Sequence, residues 1–298
     1  MTQMVPNSTK EIVIQTDPST GPWRDAWRSF SKNKVALVGA GIVLFFLLLA
    51  ILGPYIAPQG INDQSLKDRL LPPSSQYWFG TDDFGRDIFS RIIHGARISL
   101  WVGFSSVVGS VVAGSILGII AGYYGKWVDT IISRIFDIML AFPSILLAIA
   151  VVSVLGPSLQ NALIAIAIIN IPNFGRLIRS KVLSIKEEEY ITSAKAIGMK
   201  DVRILFSHIL PNSMAPVIVA GTLAIASAII EAAALGFLGL GAQAPAPEWG
   251  KMLADARVVL RNAPWTMIFP GIAIMLTVLG FNLMGDGLRD ALDPRMKN

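Results

Sequence analysis

The sequence predicts an all-α membrane protein with six transmembrane helices, on three observations. Of its 298 residues, 53% are hydrophobic and only 15% are charged, whereas an average soluble domain carries about 25% charged residues. The mean hydropathy is +0.59. The apolar residues are gathered into runs of about 20, the length that a helix needs to cross a hydrocarbon core of about 30 Å. This composition excludes a soluble enzyme, a disordered chain and a coiled coil.

The first predicted span runs from Val35 to about Ile56, inside a stretch that holds no charged residue as far as Asn62. A cleaved signal peptide is the alternative interpretation of this run. However, 34 residues with five Lys or Arg precede it, and its apolar core is longer than the about 7–15 residues of a signal peptide. We therefore expect an uncleaved helix at residues 35–57.

An N-terminal segment, residues 1–34, precedes this helix. Trp23, Trp27 and Phe30 recur there at i, i+4 and i+7 directly after Pro22, which predicts an interfacial helix with aromatic anchors. For residues 1–20 an ordinary disordered tail is the expectation.

The remaining spans follow an outer loop. The second span is the charge-free run Ile98–Gly125. Residues 138–175 also lack charge, but as one helix they would reach about 57 Å, too long for one crossing. Gly156-Pro157-Ser158 interrupts them, so spans 3 and 4 are expected on either side. Span 5 is predicted from about Ala215 to Leu235 and span 6 from about Trp265 to Gly285.

The distribution of basic residues orients the bundle. Six spans put both termini on one side, and with that side inside, 17 of the 25 Lys and Arg residues fall in cytoplasmic segments. The positive-inside rule therefore predicts cytoplasmic N- and C-termini. The expected divisions are the N-terminal segment 1–34, the first helix 35–57, an extracytoplasmic loop 58–96, a five-helix domain 97–290 and a cytoplasmic tail 291–298.

The long cytoplasmic loop, residues 186–211, predicts two short helices. Tyr190, Ala194 and Ile197 recur at i, i+4 and i+7, which predicts one face of the first helix. Three acidic residues open this helix, and negative charge is favourable at a helix N-terminus. Gly198 fits the position after the helix, where a positive φ is needed.

The second half of the loop continues the pattern. Asp201 is expected to cap a second helix, and Pro211 marks the entry to span 5. The apolar residues of this second helix are Val202, Leu205, Phe206 and Ile209. The spacing fits two interpretations: an amphipathic elbow packed on the bundle or headgroups, and a docking site for a soluble partner.

This loop resembles the EAA loop of ABC import permeases. That pattern is a Glu-Ala-Ala sequence, a glycine four residues later and an Ile-x-Leu-Pro ending. Here Thr192-Ser193-Ala194, Gly198 and His208–Pro211 stand at those positions. The residues that the resemblance assigns to ATPase coupling are Glu189, Thr192, Ser193, Ala194, Ala196, Gly198, Asp201 and Pro211.

Four further stretches resemble the oligopeptide/dipeptide/nickel permeases, and within them the C-type subunit. They are Gly80–Leu100 before span 2, Arg134–Pro143 at span 3, Glu231–Gln243 with Pro247–Gly250 after span 5, and Gly285–Arg295 in the tail. The resemblance implies the type I ABC importer permease fold in a bacterial cell membrane. It also implies a second homologous permease subunit, two cytoplasmic ATPases that bind ATP and Mg²⁺, and an extracytoplasmic solute-binding protein.

Charged residues inside spans are costly and mark pairs or pathways. Asp137 is spaced for an i, i+3 ion pair with Arg134. Glu231 lies deeper, and three roles are open for it: pairing across a subunit interface or in gating, lining the pathway, and contacting the solute.

Three glycines share one face of span 2. Gly114, Gly118 and Gly122 form a small-residue surface that lets another helix approach closely. Packing within the bundle and packing in a dimer interface are both open.

Several chemistries lack their motifs. Gly125-Lys126 and Gly250-Lys251 are not followed by Ser or Thr, so the chain has no Walker A loop, and HExxH and GxSxG are absent. With no cysteine and two histidines, no metal site is expected. The basic residues lie between apolar runs, which does not favour a nucleic-acid partner. We predict a permease subunit, not an enzyme, with no cofactor in this chain; an ion-coupled secondary transporter and a membrane scaffold are the alternatives.

Overall fold

The computed structural model describes residues 22–292, without the side chains of Pro22, Trp23 and Asp25. The expected tail 1–20 and most of the expected tail 291–298 therefore lie outside the described residues. The α-helices are α1 Pro22–Lys32, α2 Lys34–Ile56, α3 Ile88–Tyr124, α4 Lys126–Ala141, α5 Ser144–Leu155, α6 Leu159–Ile185, α7 Glu189–Ala196, α8 Asp201–Ile204, α9 Leu210–Phe237, α10 Trp249–Ala256 and α11 Trp265–Leu292.

Five helical stretches of the described chain are long and apolar enough to cross a membrane. They are α2, α3, α6, the continuous stretch Asp201–Phe237 that contains α8 and α9, and α11. The pair α4 and α5 makes a sixth span if it is counted as one bent unit. The described chain is thus mostly helical, with five continuous candidate spans and, if the bent pair counts as one, the predicted total of six.

The third span differs from its prediction as a simple helix beginning near Ile138. Helix α4 begins at Lys126, and the chain turns by 98° between α4 and α5. Pro143 causes the break, because a proline disfavours the helical conformation of the residue before it; Phe142 is extended, at φ −94° and ψ 142°. The predicted break at Gly156-Pro157-Ser158 is confirmed, since α5 ends at Leu155 and α6 begins at Leu159.

The outer loop is shorter than the expected 58–96. Helix α3 begins at Ile88, ten residues before the predicted start of span 2. Asp87 caps it, because its Oδ2 accepts a hydrogen bond of 2.9 Å from the backbone N–H of Ser90. Arg91 and Arg97 therefore lie within α3, in the part of the helix that precedes the apolar run, and not in a loop.

Helix α3 lies at the centre of the bundle, in contact with α2, α6 and α9. Its three glycines face α6 of the same chain. A Cβ atom placed on Gly114 would lie 2.8 Å from the carbonyl oxygen of Ile171, and one on Gly122 would lie 2.8 Å from Cβ of Val182. Gly118 makes the same approach to Gly175. Of the two alternatives, the described chain therefore has the small-residue surface packed within the bundle.

The two ends of the described chain meet on one side of the bundle. Phe30 of α1 is buried with Ala36 of α2 and with Ala291, near the end of α11. Trp27, by contrast, is 68% exposed. The predicted N-terminal helix is therefore present, with Phe30 on its packed side and Trp27 on its exposed side, while the side chain of Trp23 lies outside the described part of the chain.

Candidate coupling segment and membrane-embedded polar groups

The segment of residues 186–211, which we call the coupling segment, links α6 to α9. Helix α7 ends at Ala196, and Gly198 then takes φ +80°. In this left-handed conformation the backbone N–H of Met199 reaches the carbonyl of Ala194 at 3.1 Å, closing the end of α7. The predicted role of Gly198 at the helix end is thus confirmed.

The predicted cap at Asp201 is wrong. Asp201 is the first residue of α8, the cap position is Lys200, and no side chain caps this helix. The Asp201 carboxylate instead accepts a hydrogen bond of 2.5 Å from the hydroxyl of Tyr123, at the end of α3. Tyr123 is 78 positions away in the sequence. Rules for helix caps consider only neighbouring residues, so they could not predict that this carboxylate binds Tyr123.

Tyr123 holds both halves of the coupling segment. Besides its bond to Asp201 in α8, its ring lies beneath the ammonium of Lys195 in α7, 5.3 Å from Nζ to the ring centroid. Such a cation–π contact adds about 0.5–1 kcal/mol at an exposed site. Sequence analysis missed Tyr123, because nothing in its local pattern separates it from Tyr124.

The buried face of the segment is rotated from the predicted one. Of the predicted face on α7 only Ala194 is buried, and Ile191 is buried beside it. Both pack with Ile178 and Val182 of α6 and with the second half of the segment. The face is rotated because Ile191 joins the apolar cluster that includes Ile178 and Val182 of α6 and Val217 of α9.

Four large apolar side chains of the segment remain exposed in the described chain. They are Tyr190 at 43%, Ile197 at 79%, Val202 at 63% and Phe206 at 66% exposure. Among the residues assigned to coupling, Glu189, Thr192, Ser193, Ala196 and Gly198 are also exposed, as are Asp201 and Pro211. The segment thus buries one apolar face in the bundle and presents a second one outward.

The entry to α9 is a single π-helical turn, Leu205–Ile209. Pro211 follows it at the start of α9. A proline in a helix lacks the backbone N–H and its ring collides with the carbonyl four residues earlier. The wider turn relieves this collision, so the helix continues through Pro211 from Asp201 to Phe237.

Asp137 pairs mainly with a residue that the spacing did not reveal. Its Oδ1 lies 2.5 Å from Nη2 of Arg176 in α6, whereas Nη1 of Arg134 is 3.8 Å from its Oδ2. A second pair of the same kind joins α4 to α6, with Nη2 of Arg179 at 2.7 Å from Oδ2 of Asp129. Two ion pairs therefore hold α4 along α6.

Glu231 lies on α9, opposite α6, and is half-buried. Its Oε2 accepts a hydrogen bond of 3.0 Å from Nδ2 of Asn170. Asn170 is the second residue that sequence analysis missed; an amide in an apolar helix was the available signal. Within residues 22–292, no Lys or Arg nitrogen lies within 4.0 Å of the Glu231 carboxylate.

At the other end of the bundle, the acidic residues Asp82 and Asp83 belong to a charged turn. Asp82 accepts hydrogen bonds from the backbone N–H groups of Phe84 and Arg86 and from the Arg86 guanidinium, at 2.6–3.0 Å. Burial, with the neighbouring Asp82 charge, raises the pKa of Asp83 above its usual value. No group of three or more His, Asp or Glu in the described chain could hold a metal ion.

Comparison with known proteins decides the family. Residues 114–298 match the model of the binding-protein-dependent transport system inner membrane component. The chain belongs to this family. Residues 21–73 also match the N-terminal transmembrane domain of oligopeptide transport permease C, which confirms the resemblance to the C-type subunit.

Relatives of this permease family cover nearly the whole chain. The dipeptide transport system permease protein DppC of Alkalihalophilus pseudofirmus is 64% identical over 94% of this chain and 92% of its own. The di/tripeptide permease protein DppC of Pseudomonas aeruginosa is 48% identical, over 95% of this chain and 96% of its own. The glutathione permease protein GsiD of Pectobacterium atrosepticum is 49% identical, over 96% and 95%.

A solved relative shows the same permease fold. The methionine ABC transporter MetNI, in an inward-facing conformation, matches with a TM-score of 0.56 at 19% identity. The match covers 68% of this chain and 97% of that one. The protein is therefore a multi-pass permease subunit of the inner, or cell, membrane, with the fold of ABC importer permeases, and belongs to a family of transport proteins rather than enzymes.

Proposed function

We propose that this chain is the C-type permease subunit of an ATP-driven importer of short peptides, with dipeptides as the first candidate solute. The observation that carries the solute class is the 64% identity to a permease named for dipeptides. Relatives named for di/tripeptides and for glutathione, at 48% and 49% identity, support a peptide-like solute. A nickel chelate is the alternative within the family.

Energy reaches this permease through the coupling segment. The sequence has no Walker A loop, so ATP and Mg²⁺ are bound by two partner ATPases. The exposed apolar set Tyr190, Ile197, Val202 and Phe206 supports docking into an ATPase groove, because an apolar patch rimmed by polar residues is typical of an interaction site.

Movement of the docked segment is transmitted to three spans. Ile191 and Ile204 are fully buried against α6, α8 runs into α9 without interruption, and Tyr123 joins the segment to α3. Because close-packed interiors deform little, closure of the ATPases shifts these spans together. Opening toward either side of the membrane then follows as a rigid-body change.

The remaining partners follow from orientation. With both termini and the coupling segment cytoplasmic, the outer loop and α10 face the extracytoplasmic solute-binding protein. The solute passes between this chain and a second homologous permease, so that the heterodimer forms the complete pathway.

The docking proposal is tested by disulfide crosslinking, for which the absence of cysteine in the chain is convenient. In the co-expressed complex, Ala196→Cys should crosslink to cysteines placed along the ATPase groove. Trp78→Cys, 60% exposed in the outer loop, is the control and should give no product. If the complex is well expressed but Ala196→Cys gives no crosslink at any groove position, docking is refuted. In a separate measurement, uptake that persists without the ATPases would favour an ion-coupled transporter.

A further inference from the structure

A stripe of polar residues runs along one side of α6. Asn170, Asn173, Arg176 and Ser180 are spaced by three or four residues, which places them within an arc of about 120° on a helix that turns about 100° per residue. Asn173, Arg176 and Ser180 are exposed, and Asn170 is half-buried. The opposite side of α6 is buried against α3.

This stripe differs from the other exposed faces of the spans. In the middle of α2, α3 and α11 the exposed residues are mostly large and apolar, as lipid contact requires; examples are Leu44, Leu48, Phe104, Val112, Ile272 and Leu279. Unsatisfied polar groups in hydrocarbon are costly, so polar residues within spans face protein or a water-filled cavity. The side of α6 that carries the stripe is therefore not a lipid-facing side.

Glu231 of α9 lies against this stripe and is held in place by it. Nδ2 of Asn170 donates to Oε2 of Glu231 and also to the carbonyl of Ile166, both at 3.0 Å. This pair of bonds fixes the amide relative to its own helix, and the amide in turn fixes the carboxylate. The other carboxylate oxygen, Oε1, has no hydrogen-bond partner among residues 22–292.

We propose that Glu231, oriented by Asn170, is the point in the solute pathway that binds the primary ammonium group of the solute. This inference rests on the proposed function of peptide import and adds a contact residue to it. An ammonium carries three N–H donors and no acceptor, which complements the free Oε1 and the charge of the carboxylate. The attraction between the two charges is stronger at a half-buried carboxylate than in bulk water.

The rest of the stripe suits passage rather than retention. Farther along α6, Arg176 is already paired with Asp137, so its charge is compensated. Asn173 offers an amide, which binds an ammonium less strongly than a carboxylate does. Transport requires sites that bind the solute and also release it, and a single uncompensated acid followed by neutral groups meets both requirements.

The first arm of the test measures access of water to the stripe. In the assembled complex, Glu231→Cys and Asn173→Cys should react with the membrane-impermeant sulfonate reagent MTSES. The control is Ile272→Cys, which is exposed on α11. It lies seven residues from the outer end of its helix, while Glu231 lies six from the end of α9. The control should not react, and equal labelling of all three would refute the pathway assignment.

The second arm measures the effect of charge on uptake of radiolabelled alanyl-alanine. Glu231→Gln should lower uptake by about tenfold or more, the loss expected for one charge-assisted hydrogen bond, while Glu231→Asp retains more activity. After Glu231→Cys, modification by MTSES should restore part of the uptake, and modification by the cationic MTSEA should not. Unchanged uptake by Glu231→Gln would overturn the proposal.

Two further outcomes separate the competing explanations. If Glu231→Gln abolishes co-purification of the second permease, the carboxylate pairs with a cation of that subunit and the solute assignment is wrong. If the unaltered complex does not take up alanyl-alanine, the proposed peptide function fails. If it does take up alanyl-alanine but MTSES labels neither Glu231→Cys nor Asn173→Cys, only the pathway assignment is refuted.

Discussion

The close approach of α3 to α6 makes Gly114→Ala a quantitative test of the packing. The added Cβ would lie 2.8 Å from the carbonyl oxygen of Ile171 and 2.8 Å from Cβ of Phe174, whereas ordinary contact begins at 3.4 Å. Neither atom can rotate away, so the two helices must separate by about 0.6 Å, and overpacking of this kind costs about 1–3 kcal/mol.

Gly41→Ala on α2 is the matched control. A Cβ on Gly41 meets no atom within 4 Å. Both substitutions gain the same higher helix propensity of alanine, about 1 kcal/mol, so this gain cancels when the two variants are compared. The difference between them, about 1–3 kcal/mol, therefore measures the helix contact alone.

The assay measures the apparent melting temperature of the purified complex in detergent. The readout is the loss of the monodisperse peak in size-exclusion chromatography after heating. The unfolding entropy grows with size, so each kcal/mol shifts the melting temperature of this complex by less than the about 2–4 °C of a chain of 150–250 residues. A difference of about 2 kcal/mol therefore places Gly114→Ala a few degrees below Gly41→Ala. Equal melting temperatures for the two variants would show that α3 and α6 are not in backbone contact, and would refute the packing argument.

Two further predictions concern the coupling segment. Tyr123→Phe removes the hydrogen bond to Asp201; we expect normal expression but severalfold less solute imported per ATP hydrolysed, measured in proteoliposomes, while Tyr124→Phe behaves as the unaltered protein. An unchanged ratio would exclude Tyr123 from transmission. Ile197→Asp puts a charge on a side chain that is 79% exposed, so the permease should fold but lose co-purifying ATPase. Leu66→Asp in the outer loop is the control. Equal recovery of ATPase with the two variants would contradict docking through Ile197.

The spans that hydropathy predicts well are those whose surroundings are uniform. Helix α2 lies close to its predicted bounds, and α11 begins at the predicted Trp265 but continues seven residues past the predicted Gly285. Apolar residues alone decide where these two helices cross. Helix α4 was not predicted, because its charged residues excluded it from the apolar runs. In the structure Arg179 and Arg176 of α6 neutralise Asp129 and Asp137, respectively. A count of charges along the chain cannot include partners that lie 39 or 50 residues away.

The coupling segment shows the same division between local and distant causes. The turn at Gly198 depends on the conformation of one residue, and the sequence predicted it correctly. The role of Asp201 depends on Tyr123, and the rotation of α7 depends on Ile178 and Val182 of α6. Residue patterns therefore located the segment and its turn, while the direction in which each side chain points was decided by the bundle.

The length of α3 has a consequence for communication across the membrane. Its 37 residues contain no proline, so the helix spans about 55 Å, almost twice the thickness of a hydrocarbon core of about 30 Å. Arg91, near its outer end, donates to the carbonyls of Ile61 and Pro245, and Tyr123 ends it at the coupling segment. One uninterrupted helix thus joins the loop that contains Ile61 to the coupling segment, so a tilt imposed at one end of α3 displaces the other end.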